Sequence, residues 1–247
     1  TRVERRDRDK TYNPMTLAEL QAATPGFAWD RYLPGTELKG VNRYVVTTNT
    51  AFPKFAAIYA ATPVDTLKAW EAFHVVDSAA PLLSKRFVDA NFEFRSRTLN
   101  GQPEQRPRWK RAVAYVNGML GEPVGKVYVA RYFPAESKAK MVALVADIRA
   151  ALKTRIEHLD WMSPETKVKA LEKLAKFGVK IGYPDQWRDY AGLEIRADDA
   201  YGNTLRAATF EWRYDVARLN GPVDKGEWGM TPQTVNAYYS SIKNEIV

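Results

Sequence analysis

Apolar residues recur at intervals of three and four from Thr16 to about residue 220, the spacing of amphipathic helices. In the clearest example, seven residues share one face: Met141, Leu144, Val145, Ile148, Leu152, Ile156 and Leu159. Charged residues lie off this stripe, so the pattern predicts one long, half-buried helix. The aromatic residues mostly fall on similar helical stripes, which favours core positions for them.

Capping signals fix several helix boundaries. Thr16 and Glu19 have the spacing of a capping box, in which each side chain binds a free backbone N–H at a helix start. Ser163 followed by Pro164 predicts another helix start. Further helices are predicted over residues 52–60 and about 199–219.

Strand-like segments are short and lie mostly near the C-terminus. Residues 234–239 and 244–247 are rich in β-formers and are predicted to be two strands joined by a polar turn, and residues 179–183 are also strand-like. The predicted fold class is therefore mainly α, with a small β element near the C-terminus.

Composition excludes several kinds of chemistry. The 247 residues contain no Cys, which rules out a thiol nucleophile, a Cys-ligated metal and a redox switch. The longest apolar stretches fall short of the ~20 residues that cross a bilayer, so no transmembrane segment is predicted. The net charge of +8 is compatible with nucleic acid, an anionic membrane surface or simple solubility.

Catalytic motifs are absent from these residues. The two histidines, His74 and His158, lie in separate predicted helices and have no metal-ligand spacing. The sequence contains no H-E-x-x-H, no G-x-S-x-G and no phosphate-binding glycine loop. We therefore assign no catalytic residue and no metal ligand to this chain.

A basic cluster at residues 106–111 has cations on both sides of Trp109. This pattern can bind a nucleic-acid backbone and stack a base, but it is also typical of a solvated helix start. Lys and Arg elsewhere alternate with Asp and Glu, which favours the helix start.

Residues 235–239, Val-Asn-Ala-Tyr-Tyr, mix β-formers with an Asn after a glycine-rich approach. The composition suits an exposed edge strand that pairs with an extended peptide. At this segment the sequence resembles the neprilysin and endothelin-converting-enzyme family of zinc metallopeptidases. The resemblance is carried, in order, by D-K-T-Y-N-P-M-T (9–16), L-G-E-P-V-G (120–125), I-G-Y-P-D (181–185), W-G-M-T-P (228–232), V-N-A-Y-Y (235–239) and N-E-I-V (244–247).

The resemblance implies a two-lobed, zincin-type metallopeptidase that encloses a chamber for oligopeptides. Residues 1–220 would belong to the helical N-terminal portion with its cap lobe, and residues 221–247 would begin the catalytic lobe. In the family, H-E-x-x-H and a later Glu bind the zinc; here these ligands would follow Val247, in the missing catalytic lobe of the same protein. We accordingly expect an internal section of a longer enzyme, inactive by itself.

The same resemblance implies three substrate-binding residues. Asn236 would bind the substrate backbone through its side-chain amide and Ala237 through its main-chain carbonyl. Tyr238 would line the pocket on the amino side of the scissile bond. The parent would cleave oligopeptides, typically before a bulky hydrophobic residue.

Localisation and two alternative functions complete the expectations. The family acts outside the cytoplasm, and the lack of Cys departs from its disulfide-rich animal members, which suggests a bacterial periplasmic or lipid-anchored enzyme. One alternative is a non-catalytic peptide-binding module; the other, centred on residues 106–111, is a nucleic-acid-binding domain. We expect no nucleic-acid partner.

Overall fold

The computed structural model describes residues 6–247, and most of them are helical. The α-helices of this range are α1 (Arg8–Thr11), α2 (Leu17–Ala23), α3 (Trp29–Tyr32), α4 (Phe52–Ala61), α5 (Val64–Ala79), α6 (Lys85–Asn91), α7 (Arg108–Met119), α8 (Gly121–Tyr132), α9 (Ala135–His158), α10 (Pro164–Ala175) and α11 (Ala200–Arg218). Short 3-10 turns cover Leu33–Thr36 and Ala80–Leu82, and a π-helical segment, Phe92–Thr98, continues α6. The prediction of a mainly α chain is confirmed.

The chain divides into two compact units. The first contains residues up to Gln105 together with Tyr214–Leu219, and the second contains Arg106–Arg213 and Asn220–Val247. The division at residue 220 predicted from the sequence refers to the lobes of a complete peptidase and stays a prediction. Residues 1–5 of the predicted helical portion, 1–220, lie outside the described part of the chain.

The first unit has a small core beside a two-stranded sheet. Strand β1 (Pro14–Thr16) pairs antiparallel with β2 (Arg43–Val45), with Met15 opposite Tyr44. Leu20, Trp29 and Val46 are buried against this sheet. The predicted capping box is present, because Thr16 Oγ1 accepts from Glu19 N and Glu19 Oε2 accepts from Thr16 N.

A single hydroxyl connects the parts of this core. Thr24 is only 1% exposed; its Oγ1 donates to the Leu20 carbonyl at 2.5 Å and accepts from the indole Nε1 of Trp29 at 2.8 Å. The hydroxyl therefore satisfies a buried donor and fixes the orientation of the indole.

Farther along the first unit, α5 is connected to the π-helical segment by a charged contact. Arg95 donates to Asp77, and Asn91 Nδ2 also lies within hydrogen-bond distance of its carboxylate. The Arg95 hydrogen bond holds the pKa of Asp77 below its usual value. The contact joins α5 to α6 and its π-helical continuation, since Asn91 and Arg95 lie 14 and 18 positions after Asp77.

The second unit contains a three-stranded sheet. Strand β5 (Glu245–Ile246) lies between β3 (Gly178–Val179), to which it is parallel, and β4 (Tyr239–Ser240), to which it is antiparallel. The predicted C-terminal hairpin is confirmed, but its first strand is shorter than expected. Residues 234–237 are not in a strand, and the hydrogen-bonded ladder begins with the backbone pair of Tyr238 and Val247.

The long helix is confirmed as α9, and the residues of this chain cover only part of its apolar stripe. Of its apolar stripe, Ile156 is buried whereas Met141, Leu144, Ile148 and Leu152 are 42–58% exposed. Within the second unit α9 packs on α10, where Arg149 donates to the carbonyl of Leu174. Trp70 and Phe73, which lie on another predicted helical stripe, are likewise exposed. Periodicity gives the face of a helix but not what covers that face.

Across residues 6–247, no helix has both the length and the apolar character needed to cross a membrane.

Replacing Thr24 by Val tests the core of the first unit. Thr24→Val keeps the shape but leaves the buried Trp29 indole N–H without its acceptor, so the free energy of unfolding should fall by about 1–3 kcal/mol. Thr154→Val is the matched control, since the Thr154 hydroxyl is exposed on α9; it should change stability by less than about 0.5 kcal/mol. Urea unfolding monitored by tryptophan fluorescence measures both. Equal stabilities of the two variants would contradict the assigned role of Thr24.

Candidate substrate-binding site

The three residues predicted to bind substrate immediately precede β4, the first strand of the C-terminal hairpin. Beyond the strands proper, Tyr238 and Val247 exchange two backbone hydrogen bonds, with N–O distances of 3.2 and 3.0 Å. The turn between the strands is polar: Ser240 Oγ accepts from Lys243 N, and Asn244 adopts a left-handed φ of 50°. Asn tolerates this conformation better than most residues.

A buried ion pair holds the central strand. Lys180 Nζ lies 3.0 Å from Glu245 Oε1, and the two side chains are only 10% and 9% exposed. Lys180 Nζ also donates to the carbonyl of Glu227 at 2.6 Å. Gly178 permits this approach, because a Cβ there would lie 2.9 Å from Glu245 Cβ. The pair thus joins β5 both to the chain after β3 and to the segment that leads toward β4.

Tyr238 and Tyr239 point their side chains to different surroundings, as neighbours in a strand do. The Tyr239 ring stacks on Phe177 with centroids 6.0 Å apart, and its hydroxyl donates to Asn244 Oδ1. The Tyr238 hydroxyl instead lies against Gly229, where an added Cβ would be 2.7 Å away. Tyr239 therefore stabilises the hairpin, and Tyr238 faces the neighbouring segment.

Asn236 and Ala237 are exposed and lie just before the hydrogen-bonded ladder. Asn236 N donates to the Thr234 carbonyl at 3.0 Å, and Ala237 N donates to Asn236 Oδ1 at 2.8 Å. No residue in the described range, 6–247, hydrogen-bonds to Asn236 Nδ2 or to the Ala237 carbonyl. One donor and one acceptor are therefore presented side by side at the surface.

An open cleft of about 600 Å³ adjoins these residues, entirely within the second unit. Asn236 and Tyr238 form part of its wall, with Trp228 and Thr231 from the preceding segment. The other walls come from the end of α7, the start of α8, α11, and Pro184, Arg188 and Tyr190. The structure thus brings two of the three predicted residues, Asn236 and Tyr238, to one cavity.

The polar wall of the cleft is organised around Arg188. Its backbone N donates to Glu122 Oε1 and its Nη1 to Glu211 Oε2, both at 2.7 Å. The guanidinium lies over the rings of Tyr190 and Phe210, 5.3 and 5.1 Å from their centroids. Burial raises the pKa of Tyr190, an effect that the charge of Arg188 partly opposes. Sequence reasoning missed this group, whose only visible signal was the Glu of L-G-E-P.

The histidines do not come together with other metal-ligating groups. His158 Nδ1 lies 2.7 Å from the Thr154 carbonyl, and His74 packs its ring on Trp70 with centroids 4.4 Å apart. From residue 6 onward, no three His, Asp or Glu side chains form a group that could hold a metal ion. The donor set of this part of the chain therefore does not fit a zinc ion.

The basic cluster at residues 106–111 lies at the start of α7, which begins at Arg108. Trp109 is 65% exposed, and Lys110 Nζ lies 5.4 Å from the centroid of its ring. A solvated helix start has this arrangement; nucleic-acid binding by the cluster is untested.

Comparison with known proteins identifies the family. A model of the N-terminal domain of peptidase family M13 matches residues 1–184, so the chain belongs to this family of metallopeptidases. It is 31% identical to Neprilysin-3 of Drosophila melanogaster and 29% identical to human endothelin-converting enzyme 1, with 99% of the chain covered in each case. The chain spans about a third (33%) of the length of each of these relatives.

Solved structures agree with this assignment. The chain is similar to the zinc metalloprotease Zmp1 of Mycobacterium tuberculosis in complex with an inhibitor, with 41% identity and a TM-score of 0.91 over 99% of this chain and 37% of that one. It is also similar to PepO of Lactobacillus rhamnosis, with 27% identity and a TM-score of 0.83 over 96% of this chain and 38% of that one. The resemblance found in the sequence motifs is confirmed.

The buried pair of Lys180 and Glu245 gives a stability prediction. Lys180→Met leaves the Glu245 carboxylate buried without its cation and should lower the free energy of unfolding by about 3–5 kcal/mol. Lys243→Met breaks the more exposed pair with Glu227, whose charged atoms lie 3.5 Å apart; it should cost at most about 1 kcal/mol. Denaturant titration compares them.

A third variant separates charge from packing. The double change Lys180→Met with Glu245→Met removes both charges and should recover part of the lost stability, because apolar pairs often replace buried ion pairs at little cost. A Lys180→Met variant as stable as Lys243→Met would show that the pair does not hold the strand.

Proposed function

We propose that this chain is part of a zinc metalloendopeptidase whose complete form hydrolyses oligopeptides, typically before a bulky hydrophobic residue. Membership of family M13 supports this, as does the likeness to proteins whose names denote peptidases. The helical region would form the cap of the substrate chamber, and the C-terminal hairpin would bind the substrate backbone.

The arrangement of Asn236 and Ala237 is the observation that carries the binding role. An extended peptide presents alternating backbone N–H and C=O groups, and a strand edge binds it by offering their complements. Asn236 Nδ2 would donate to a substrate carbonyl, and the Ala237 carbonyl would accept from a substrate N–H. Both groups are exposed, and the chain itself leaves both of them available. Tyr238, on the wall of the adjoining cleft, would line the pocket for the residue on the amino side of the scissile bond.

Catalysis would depend on residues outside this chain. The zinc ligands, H-E-x-x-H and a later Glu, would follow Val247 in the complete peptidase, where the metal would polarise the scissile carbonyl and activate water. The residues described here would bind and orient the substrate. For the parent we propose an extracytoplasmic location, periplasmic or lipid-anchored, which the absence of Cys fits.

Asn236→Ala in the complete peptidase tests the binding role. Loss of one substrate hydrogen bond worth about 0.5–1.5 kcal/mol should lower kcat/KM about 2- to 12-fold. Asn220→Ala removes an exposed amide after α11, in the second unit, and should leave kcat/KM within about twofold. Steady-state hydrolysis of a fluorogenic oligopeptide gives both values. An Asn236→Ala enzyme indistinguishable from the Asn220→Ala enzyme would refute the proposed contact.

The 247-residue chain alone tests where the chemistry resides. It should retain no stoichiometric zinc after dialysis and hydrolyse no peptide, whereas the complete peptidase should contain zinc and lose activity with a chelator. Elemental analysis and the same fluorogenic assay provide the comparison. Chelator-sensitive hydrolysis by the isolated chain would contradict the proposal. An intact parent that binds peptide but neither holds zinc nor cleaves would favour the non-catalytic alternative.

A further inference from the structure

We propose that Gln233, seated on two glycines of α8, is a positioning residue that sets where Asn236 and Ala237 meet the substrate. The inference rests on the proposed function, since it concerns the same binding segment. Three independent observations carry it: a close approach to α8, a pair of directional hydrogen bonds, and a short turn that leads from Gln233 to Asn236.

The close approach involves Gly121 and Gly125, which lie four residues apart and so share one face of α8. A Cβ at Gly125 would lie 2.7 Å from Pro232 Cδ and 2.8 Å from Gln233 Oε1. A Cβ at Gly121 would lie 3.0 Å from Thr231 Cγ2. The two glycines thus leave a hollow on the helix that residues 231–233 fill.

The hydrogen bonds fix Gln233 in that hollow. Its Nε2 donates to the Gly121 carbonyl at 2.8 Å and to Asn117 Oδ1 at 3.2 Å. Its Oε1 is buried and has no hydrogen-bond partner among residues 6–247. An apolar side chain of equal length would fill the space without an unpaired buried oxygen. The amide therefore contributes direction rather than packing alone.

A hydrogen-bonded turn transmits this position to the binding residues. Thr234 N donates to the Thr231 carbonyl at 3.0 Å, and the hydroxyls of the two threonines lie 2.9 Å apart. Asn236 N then donates to the Thr234 carbonyl. On the far side, Tyr238 is fixed by its ladder to Val247. Asn236 and Ala237 consequently lie between two anchored points, of which Gln233 is one.

Gln233→Met in the complete peptidase tests the inference. The substrates are one fluorogenic oligopeptide and a series in which a single backbone amide near the scissile bond is N-methylated, one position at a time. In the unmodified enzyme, the methyl at the amide that pairs with Ala237 should lower kcat/KM about 10-fold, the effect of one lost hydrogen bond with its partner left unpaired. We call this loss the N-methyl penalty. In Gln233→Met it should fall to about threefold or less, because the Ala237 carbonyl is no longer held in register with the substrate amide.

The parent peptide gives a second readout. Its kcat/KM should fall about 3- to 10-fold in Gln233→Met, mainly through a higher KM, since ground-state and transition-state binding are weakened together. Gln186→Met, at an exposed position of the same unit, is the control and should preserve both the rate and the N-methyl penalty. Thermal unfolding of each variant shows which of them are folded at the assay temperature.

A second variant covers the case in which Gln233→Met does not fold. Gly125→Ala displaces Pro232 and should also reduce the N-methyl penalty, whereas Gly35→Ala, whose Cβ would meet nothing within 4 Å, should not. An undiminished penalty in the folded variants would overturn the role of Gln233 while leaving the substrate contact intact. No penalty at any amide in the unmodified enzyme would instead overturn the contact itself.

Discussion

The buried ion pair of Lys180 and Glu245 is the interaction on which the binding segment depends. It fixes β5 at the centre of the sheet, and the same ammonium group binds the Glu227 carbonyl at the beginning of the segment that leads to Asn236. Neither charge is exposed by more than a tenth, so each needs the other to offset its desolvation. The hairpin, the approach to it and β3 are thereby joined at one point.

The binding residues themselves are not in regular structure. The side-chain amide Nδ2 of Asn236 and the Ala237 carbonyl hydrogen-bond to no residue among 6–247. In an antiparallel ladder, residues alternate between those that bond the neighbouring strand and those that direct both backbone groups away from it. Gln233 and Tyr238 anchor the segment on either side of Asn236 and Ala237. The arrangement combines a fixed position with free hydrogen-bonding groups, which is what recognition of a peptide backbone requires.

Several motifs that carry the family resemblance have specific packing roles in the structure. In L-G-E-P-V-G, Glu122 binds the backbone of Arg188. In I-G-Y-P-D, Gly182 has a φ of 77° and lies so close to Phe133 that a Cβ would be 2.5 Å from its ring. In D-K-T-Y-N-P-M-T, Asn13 Nδ2 donates to the carbonyl of Val46. These residues therefore connect segments that lie far apart in the sequence.

The sequence by itself determined several of the helices, two helix starts and the C-terminal hairpin, because spacing, capping boxes and β-propensity are local properties. It also singled out Asn236, Ala237 and Tyr238 through a resemblance. Only the tertiary structure decided that Glu245 pairs with Lys180, that Arg188 meets Glu122 and Glu211, and that Gly125 receives Pro232 and Gln233. The physical reason is that burial, register and close approach depend on residues far apart in the chain, and local patterns carry no record of them.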